Sequence, residues 1–313
     1  MGSVSVGKLI HTLNVSNSLG EGVIWDCESQ CIWWTDIQAS MLFQFSVESN
    51  SLNQYAMPMR VGCFALIEND PRLIVAFEKG IALYHLQSQA LQWLATPEID
   101  KSHHRFNDGR VDRQGRFWAG TMVESPVENR GEDPQGINSV ELGALYCIDH
   151  QLSCHKILSG IEIANSLCWS PEGDYVYHAD SVKQQIQRFE FNQTPLSFKR
   201  PETLAYTANG ALPDGADVDS DGYIWSAHWN GGKVVRYDPE GHIDLELLLP
   251  VSNPTSVTIG GKDLNWLIIT SAKEGLSEQQ LADQPMAGSL FIYELHGVKG
   301  LGSNRFLLGE AVR

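Results

Sequence analysis

No run of about 18 apolar residues interrupts this chain, so no segment reads as a transmembrane helix and no membrane partner is expected. Basic residues are scarce: 22 Lys and Arg stand against 38 Asp and Glu, a formal charge of −16. Nucleic-acid binding requires Lys and Arg to neutralise phosphates, so no nucleic-acid partner is expected. Met1 to Asn14 lack the apolar core and cleavage site of a signal peptide. The six cysteines, Cys27, Cys31, Cys63, Cys147, Cys154 and Cys168, form no Cys-x-x-Cys pair. Reduced, buried thiols in a cytoplasmic protein are the expectation. A Gly-x-Ser-x-Gly elbow is missing, which argues against a serine triad, and so is a lysine-bearing phosphate loop.

What is present is a repeat. Asp112-Arg113-Gln114-Gly115-Arg116-Phe117-Trp118 and Asp219-Ser220-Asp221-Gly222-Tyr223-Ile224-Trp225 are its clearest copies. Weaker copies open at Asp26, Glu68, Ser170 and Gly260. Asp-x-x-Gly between apolar runs is turn chemistry, with Asp capping the turn and Gly tolerating positive φ. Each copy continues into strands rich in β-branched and aromatic residues, such as Val234-Val235-Arg236-Tyr237. The second-strand anchors Trp33, Ile74, Phe117, Val176, Ile224 and Leu267 recur at roughly the 40 to 50 residues that a four-stranded blade needs. One longer gap coincides with Val123 to Leu142, a polar stretch with Pro126, Gly131, Pro134 and Gly136, and reads as an insertion loop. The expected fold is all-β, a six-bladed β-propeller forming a single domain over residues 1–313, closed by an N-terminal strand near Leu9 to Leu13.

The repeat also aligns the start of each first strand. Five residues before each turn segment stand Glu21, Cys63, Asn107, Asn165, Asp214 and Thr255. Four residues later each unit is apolar: Trp25, Ile67, Val111, Trp169, Val218 and Ile259. First strands line the central channel of a propeller, so equivalent positions form a ring. Asn and Asp are common turn residues, and any one of these alone would read that way. Four polar side chains in register, Glu21, Asn107, Asn165 and Asp214, point to a metal, because buried charge needs a partner. Oxygen donors suit a hard divalent cation such as Ca²⁺, Mg²⁺ or Mn²⁺.

The sequence resembles the regucalcin/gluconolactonase family of sugar lactone hydrolases. The matching pieces are Gly20-Glu21-Gly22 with Trp25, Arg105-Phe106-Asn107-Asp108-Gly109 followed by Gly120-Thr121-Met122, Asn165-Ser166-Leu167-Cys168-Trp169-Ser170, Pro213-Asp214-Gly215, and Asn230-Gly231-Gly232-Lys233. The resemblance implies one axial cation, Ca²⁺ with Zn²⁺, Mg²⁺, Mn²⁺ or Fe²⁺ as alternatives, on Glu21, Asn165 and Asp214. It implies that Arg105 and Asn107 hold a small-molecule sugar lactone. A further family acid follows the Gly-Thr-Met segment; its counterpart here is Glu124, or the position is taken by Ser125. Asp214 is the candidate catalytic base, a role that competes with metal coordination. A calcium-binding regulatory propeller and a broader propeller esterase are the rival readings. His103-His104 reads as a solvated loop, and His228 and Trp229 as possible pocket walls or packing residues.

Overall fold

Alternation of apolar side chains on both faces of each repeat demands that every sheet be covered twice, and a ring of sheets does this. In the computed structural model, which describes residues 4–124 and 141–309, the repeats form six four-stranded sheets. The first contains β2 (Gly20–Asp26), β3 (Cys31–Asp36), β4 (Met41–Ser46) and β5 (Ser51–Ala56). The second contains β6 (Val61–Ile67), β7 (Asp70–Phe77), β8 (Gly80–Tyr84) and β9 (Leu91–Ala95). The third contains β10 (His104–Val111), β11 (Phe117–Val123), β12 (Gly143–Ile148) and β13 (Cys154–Ile161). The fourth contains β14 (Ala164–Trp169), β15 (Tyr175–Asp180), β16 (Gln185–Gln193) and β17 (Leu196–Tyr206). The fifth contains β18 (Leu212–Val218), β19 (Ile224–Trp229), β20 (Lys233–Tyr237) and β21 (Ile243–Leu248). The sixth joins β22 (Pro254–Gly260), β23 (Trp266–Ser271) and β24 (Leu290–His296) to the N-terminal β1 (Ser5–Leu13), which pairs antiparallel to β24 as the sequence led us to expect. The expected insertion loop at Val123 to Leu142 falls mostly on residues 125–140, outside the described residues.

The apolar core is divided into wedges. One cluster fills each blade interface: Trp33 with Val75 between the first and second, Ala65 with Phe117 between the second and third, Trp118 with Trp169 between the third and fourth. Tyr177 with Val235, Trp225 with Phe291, and Trp34 with Ile268 fill the remaining three. Burial on both faces explains why these strands read as near-continuous apolar runs.

The Asp-x-x-Gly turns have a second role beyond capping. Asp112 Oδ1 accepts the Gln114 and Arg116 N–H groups at 2.9 Å, and its Oδ2 accepts the Trp118 indole at 2.8 Å. Asp219 repeats the pattern with Asp221, Tyr223 and Trp225, each at 3.0 Å. Gly115 and Gly222 take φ of +81° and +84°, the left-handed region that glycine occupies without strain. Each turn therefore pins its own large second-strand Trp.

Beyond β24, residues 297–309 cross the turn end of the propeller. Lys299 accepts the Ser220 N–H, Ser303 Oγ accepts the Trp25 N–H, and Arg305 pairs with Asp26 and Glu28 at 2.7 Å. Phe306 is fully buried and exchanges backbone hydrogen bonds with Leu66 and Glu68; Leu307 bonds to Gly115. The opposite end of the ring carries the candidate site.

Candidate active site

Each first strand enters the channel through a local irregularity. Register shifts fall between Glu21 and Ile24, Phe106 and Gly109, Asn165 and Cys168, Pro213 and Ala216, and Pro254 and Val257. A bulge leaves one residue unpaired and re-aims its neighbours. Gly22 and Ser166 adopt φ of +58° and +56° inside two of these bulges. The aligned positions Glu21, Asn107, Asn165 and Asp214 are all buried there, at 4 to 6 % exposure.

The bulges also lock neighbouring blades together. Asn107 Nδ2 donates to the Ala164 carbonyl at 3.0 Å, and the Ser166 hydroxyl donates to the Asp214 carbonyl. Thr255 donates to the Gly20 carbonyl. The Asp108 carboxylate, which burial pushes up from its usual pKa, accepts the Leu167 N–H at 2.9 Å. Asp108 was not among the expected site residues; its place beside Asn107 in the sequence was the available signal.

A cavity of about 230 Å³ opens at this end, lined by Glu21, Arg105, Asn107, Asn165 and Asp214 among others. A directional hydrogen-bond chain runs along one side. Arg105 Nη1 donates to Asn107 Oδ1 at 2.6 Å, and Asn107 Nδ2 to Asn165 Oδ1 at 3.0 Å. Asn165 Nδ2 then donates to Ser181 Oγ at 2.8 Å, and Ser181 to the Pro213 carbonyl at 2.7 Å. This order turns the Asn165 amide oxygen away from Ser181 and leaves it a free lone pair.

Glu21 and Asp214 face each other within hydrogen-bonding reach. Burial pushes both carboxyls upward and the charge of Asp108 adds to it; Glu21 raises Asp214 further, whereas the hydrogen bond with Asp214 draws Glu21 partly back. The charge of Arg105 offsets part of the Glu21 shift, but its hydrogen bonds go to Glu124, Phe106 and Asn107 rather than to either carboxylate. Two desolvated carboxylates without a dedicated base suit a divalent cation, with the Asn165 oxygen as a third donor. Among the described residues no three His, Cys, Asp or Glu side chains cluster as a ligand set, so an amide would have to complete one.

Residues 19–273 match the SMP-30/Gluconolactonase/LRE-like region. The chain belongs to this family. It is 34% identical to a 6-deoxy-6-sulfogluconolactonase of Pseudomonas putida, over 87% of this chain and 90% of that protein. It is 32% identical to an L-arabinolactonase of Azospirillum brasilense, over 96% of each. Regucalcin of Oryctolagus cuniculus is 32% identical over 90% of this chain and 92% of its own. A calcium-binding regucalcin structure from Agrobacterium tumefaciens superposes with a TM-score of 0.84 at 26% identity, covering 98% and 99% of the two chains.

Within this family member, Glu124 sits behind the cavity rather than on its lining. It is gripped by Arg60 in a bidentate pair at 2.8 and 2.9 Å and by Arg105. Burial opposes its ionisation, but the two arginines outweigh that and hold its carboxyl below the usual value. Ser125 lies outside the described residues. Trp229 lines the cavity, whereas His228 is buried with its ring 3.2 Å from the Tyr237 hydroxyl. His103 is exposed, but His104 is buried and bonded to Glu98 at 2.8 Å and to the Glu141 carbonyl at 2.7 Å, so the solvated-loop expectation fails for it. Four cysteines are buried as expected; Cys27 and Cys154 are exposed, and no disulfide forms among the six. Among the described residues no helix is long and apolar enough to cross a membrane. Sequence reasoning also missed Ser181, Glu274 and the apolar walls Leu19, Met122, Ile163 and Leu212.

Proposed function

We propose that this chain hydrolyses a sugar lactone to the open aldonic acid in the axial cavity, with a divalent cation held by Glu21, Asn165 and Asp214. The observation that carries the reading is the facing pair of buried carboxylates beside a positioned arginine in one cavity. The lactonase names of two relatives support the substrate class, and the calcium-binding name of a structural neighbour supports the cation. Ca²⁺ is the first choice, with Zn²⁺, Mg²⁺, Mn²⁺ or Fe²⁺ as alternatives. We place this activity in one domain, residues 1–313, since blades one, three, four, five and six each supply cavity residues, and in the cytoplasm, in keeping with six unpaired thiols.

The bound cation would supply Lewis acidity at the carbonyl oxygen and lower the pKa of a bound water. The protein's own contributions are orientation and proton handling. Arg105 is preset by Asn107, Phe106 and Glu124, and its Nη2 makes no hydrogen bond among the described residues, so it can donate to a ring or exocyclic oxygen. Glu124 thereby positions Arg105, and Asn107 holds both Arg105 and Asn165. Asp214, desolvated and facing Glu21, can accept the proton of an attacking water.

A pH-drop assay with gluconolactone and a five-carbon aldonolactone, with and without chelator, tests the reading. Acid release that stops on chelation and returns with Ca²⁺ is expected. Tight Ca²⁺ binding without turnover of either lactone would favour a regulatory propeller. Arg105→Ala should lower kcat/KM by roughly tenfold to a hundredfold, mainly through KM, since a charged hydrogen bond contributes about 1.5 to 3 kcal/mol. Steady-state kinetics beside a cation titration separate the effects; unchanged kinetics would remove Arg105 from the site.

A further inference from the structure

The cavity has a second carboxylate-bearing wall that the first strands do not provide. Between β23 and β24 the chain leaves the sixth sheet for residues 272–289, which include α1 (Glu278–Asp283) with a Ser277–Gln280 capping box. Glu274 from this segment lines the cavity and is exposed. Its backbone is fixed at both ends. The N–H donates to the Ser18 carbonyl at 3.0 Å, and the carbonyl accepts Asn253 Nδ2 at 2.9 Å. Lys273 adds a 3.1 Å bond to the same Ser18 oxygen. Gly275 turns the chain away at φ +79°, beside the Trp229 ring.

The side chain is steered as well. Glu274 Oε2 accepts Gln38 Nε2 at 2.9 Å, while Oε1 accepts no hydrogen bond among the described residues. Arg105 belongs to the third blade and Glu274 to the sixth, so they stand on opposite sides of the ring, close enough for Glu274 to stabilise the Arg105 charge. Glu21, Asn165 and Asp214 form the buried floor, whereas Glu274 is exposed at the rim. A lactone whose carbonyl reaches the floor extends its remaining substituents toward the rim. On the way it meets Arg105, a fixed donor buried beside the floor, and at the rim on the opposite side it meets Glu274, a fixed acceptor.

We propose that Glu274 is a specificity-determining residue: it accepts hydrogen bonds from exocyclic hydroxyls of a neutral lactone and repels lactones carrying an anionic group at that position. This rests on the lactonase reading given above. An acceptor-only carboxylate matches hydroxyl donors and opposes phosphate or sulfonate by like charge, so this chain would share the lactone chemistry of the Pseudomonas putida relative but not the sulfonated substrate in that relative's name. Glu124 cannot serve in the same way, because both its oxygens are taken by Arg60 and Arg105 and it stands off the cavity lining.

The test compares gluconolactone with 6-phosphogluconolactone as substrates for the holoprotein. Binding of the corresponding lactams, whose ring amide resists hydrolysis, is measured in parallel by titration calorimetry. The wild type should prefer the neutral member of each pair. Glu274→Gln should narrow that preference about tenfold, a magnitude suited to one like-charge contact near a protein surface, and Glu274→Lys should narrow it further or reverse it. Glu278→Gln, on the same segment but away from the cavity, should leave the preference as it was. An unchanged preference in both Glu274 variants overturns the proposal, as does a wild type that binds both lactams equally. If neither lactone is opened while lactam binding still discriminates through Glu274, the lactonase reading falls and the assignment of Glu274 stands.

Discussion

Asp214→Asn should lower kcat on the order of a hundredfold or more while the propeller stays folded, a range seen when one charge-stabilising group is removed from an active site. The backbone around Asp214 is held independently of its carboxylate. Pro213 accepts the Ser181 hydroxyl, and the Asp214 carbonyl accepts the Ser166 hydroxyl. Gly215 admits the sixth blade so closely that a Cβ there would lie 2.7 Å from Ser256 Oγ. Asn preserves size, backbone and one donor oxygen, so these contacts persist. It removes a negative charge from the cation site and the ability to take a proton. The check is kcat across a full divalent-cation titration, with the thermal midpoint followed in parallel. Full activity restored by excess cation would show that Asp214 only tunes affinity. Full activity without added cation would make the axial ring structural and send the search for chemistry elsewhere.

Asp219→Ala should destabilise the fold by about 3 to 5 kcal/mol, the cost of leaving a buried ionic partner uncompensated. Asp219 is fully buried and its Oδ2 accepts Arg236 Nε at 2.9 Å and Nη2 at 2.7 Å, besides the Trp225 indole. Arg236 is itself 1 % exposed and lies 3.6 Å from the centre of the Tyr223 ring. Its pairing with Asp244 survives the substitution but satisfies one nitrogen only. The turn loses both side-chain acceptors, and the Trp225 N–H loses its partner. Urea unfolding read by tryptophan fluorescence gives the loss directly, and Asp219→Asn should recover part of it. A shift below 1 kcal/mol would mean that Asp244 and the Tyr223 ring suffice to hold Arg236.

The sequence was most informative where the repeat imposed a register. Counting back from each turn picked out Glu21, Asn107, Asn165 and Asp214, and these four line one cavity. Six blades followed from the same count, because two-sided burial writes a repeated apolar pattern into every strand. Legibility ended where the repeat did. Glu274 comes from a segment between two strands, and only closure of the ring sets it against Arg105. Ser181 follows β15 in a short 3₁₀ turn, with nothing in the local sequence to mark its link to Asn165 and Pro213. Glu124 was visible as an acid of the right type, but its two arginine partners were not: Arg60 lies 64 residues away in the chain. His104 was misread because its partner Glu98 belongs to the preceding loop.

The pairing of β1 with β24 sets a timetable for biosynthesis. Ser5 pairs with His296 and Leu13 with Leu290. At about 5 to 20 residues per second, a ribosome needs roughly 15 to 60 seconds between these partners. Throughout that interval β1 is a strand without a neighbour on a chain whose first blades can already form. Unpaired strands recruit other chains, and charge or a bulge within them lowers that risk. Gly7 and Lys8 stand in the middle of β1, and its pairing to β24 is irregular around them. The charge of Lys8 and the irregular register beside it are the kind of features that discourage pairing with other chains, while Gly7 lets the His296 side chain approach closely once the last blade arrives.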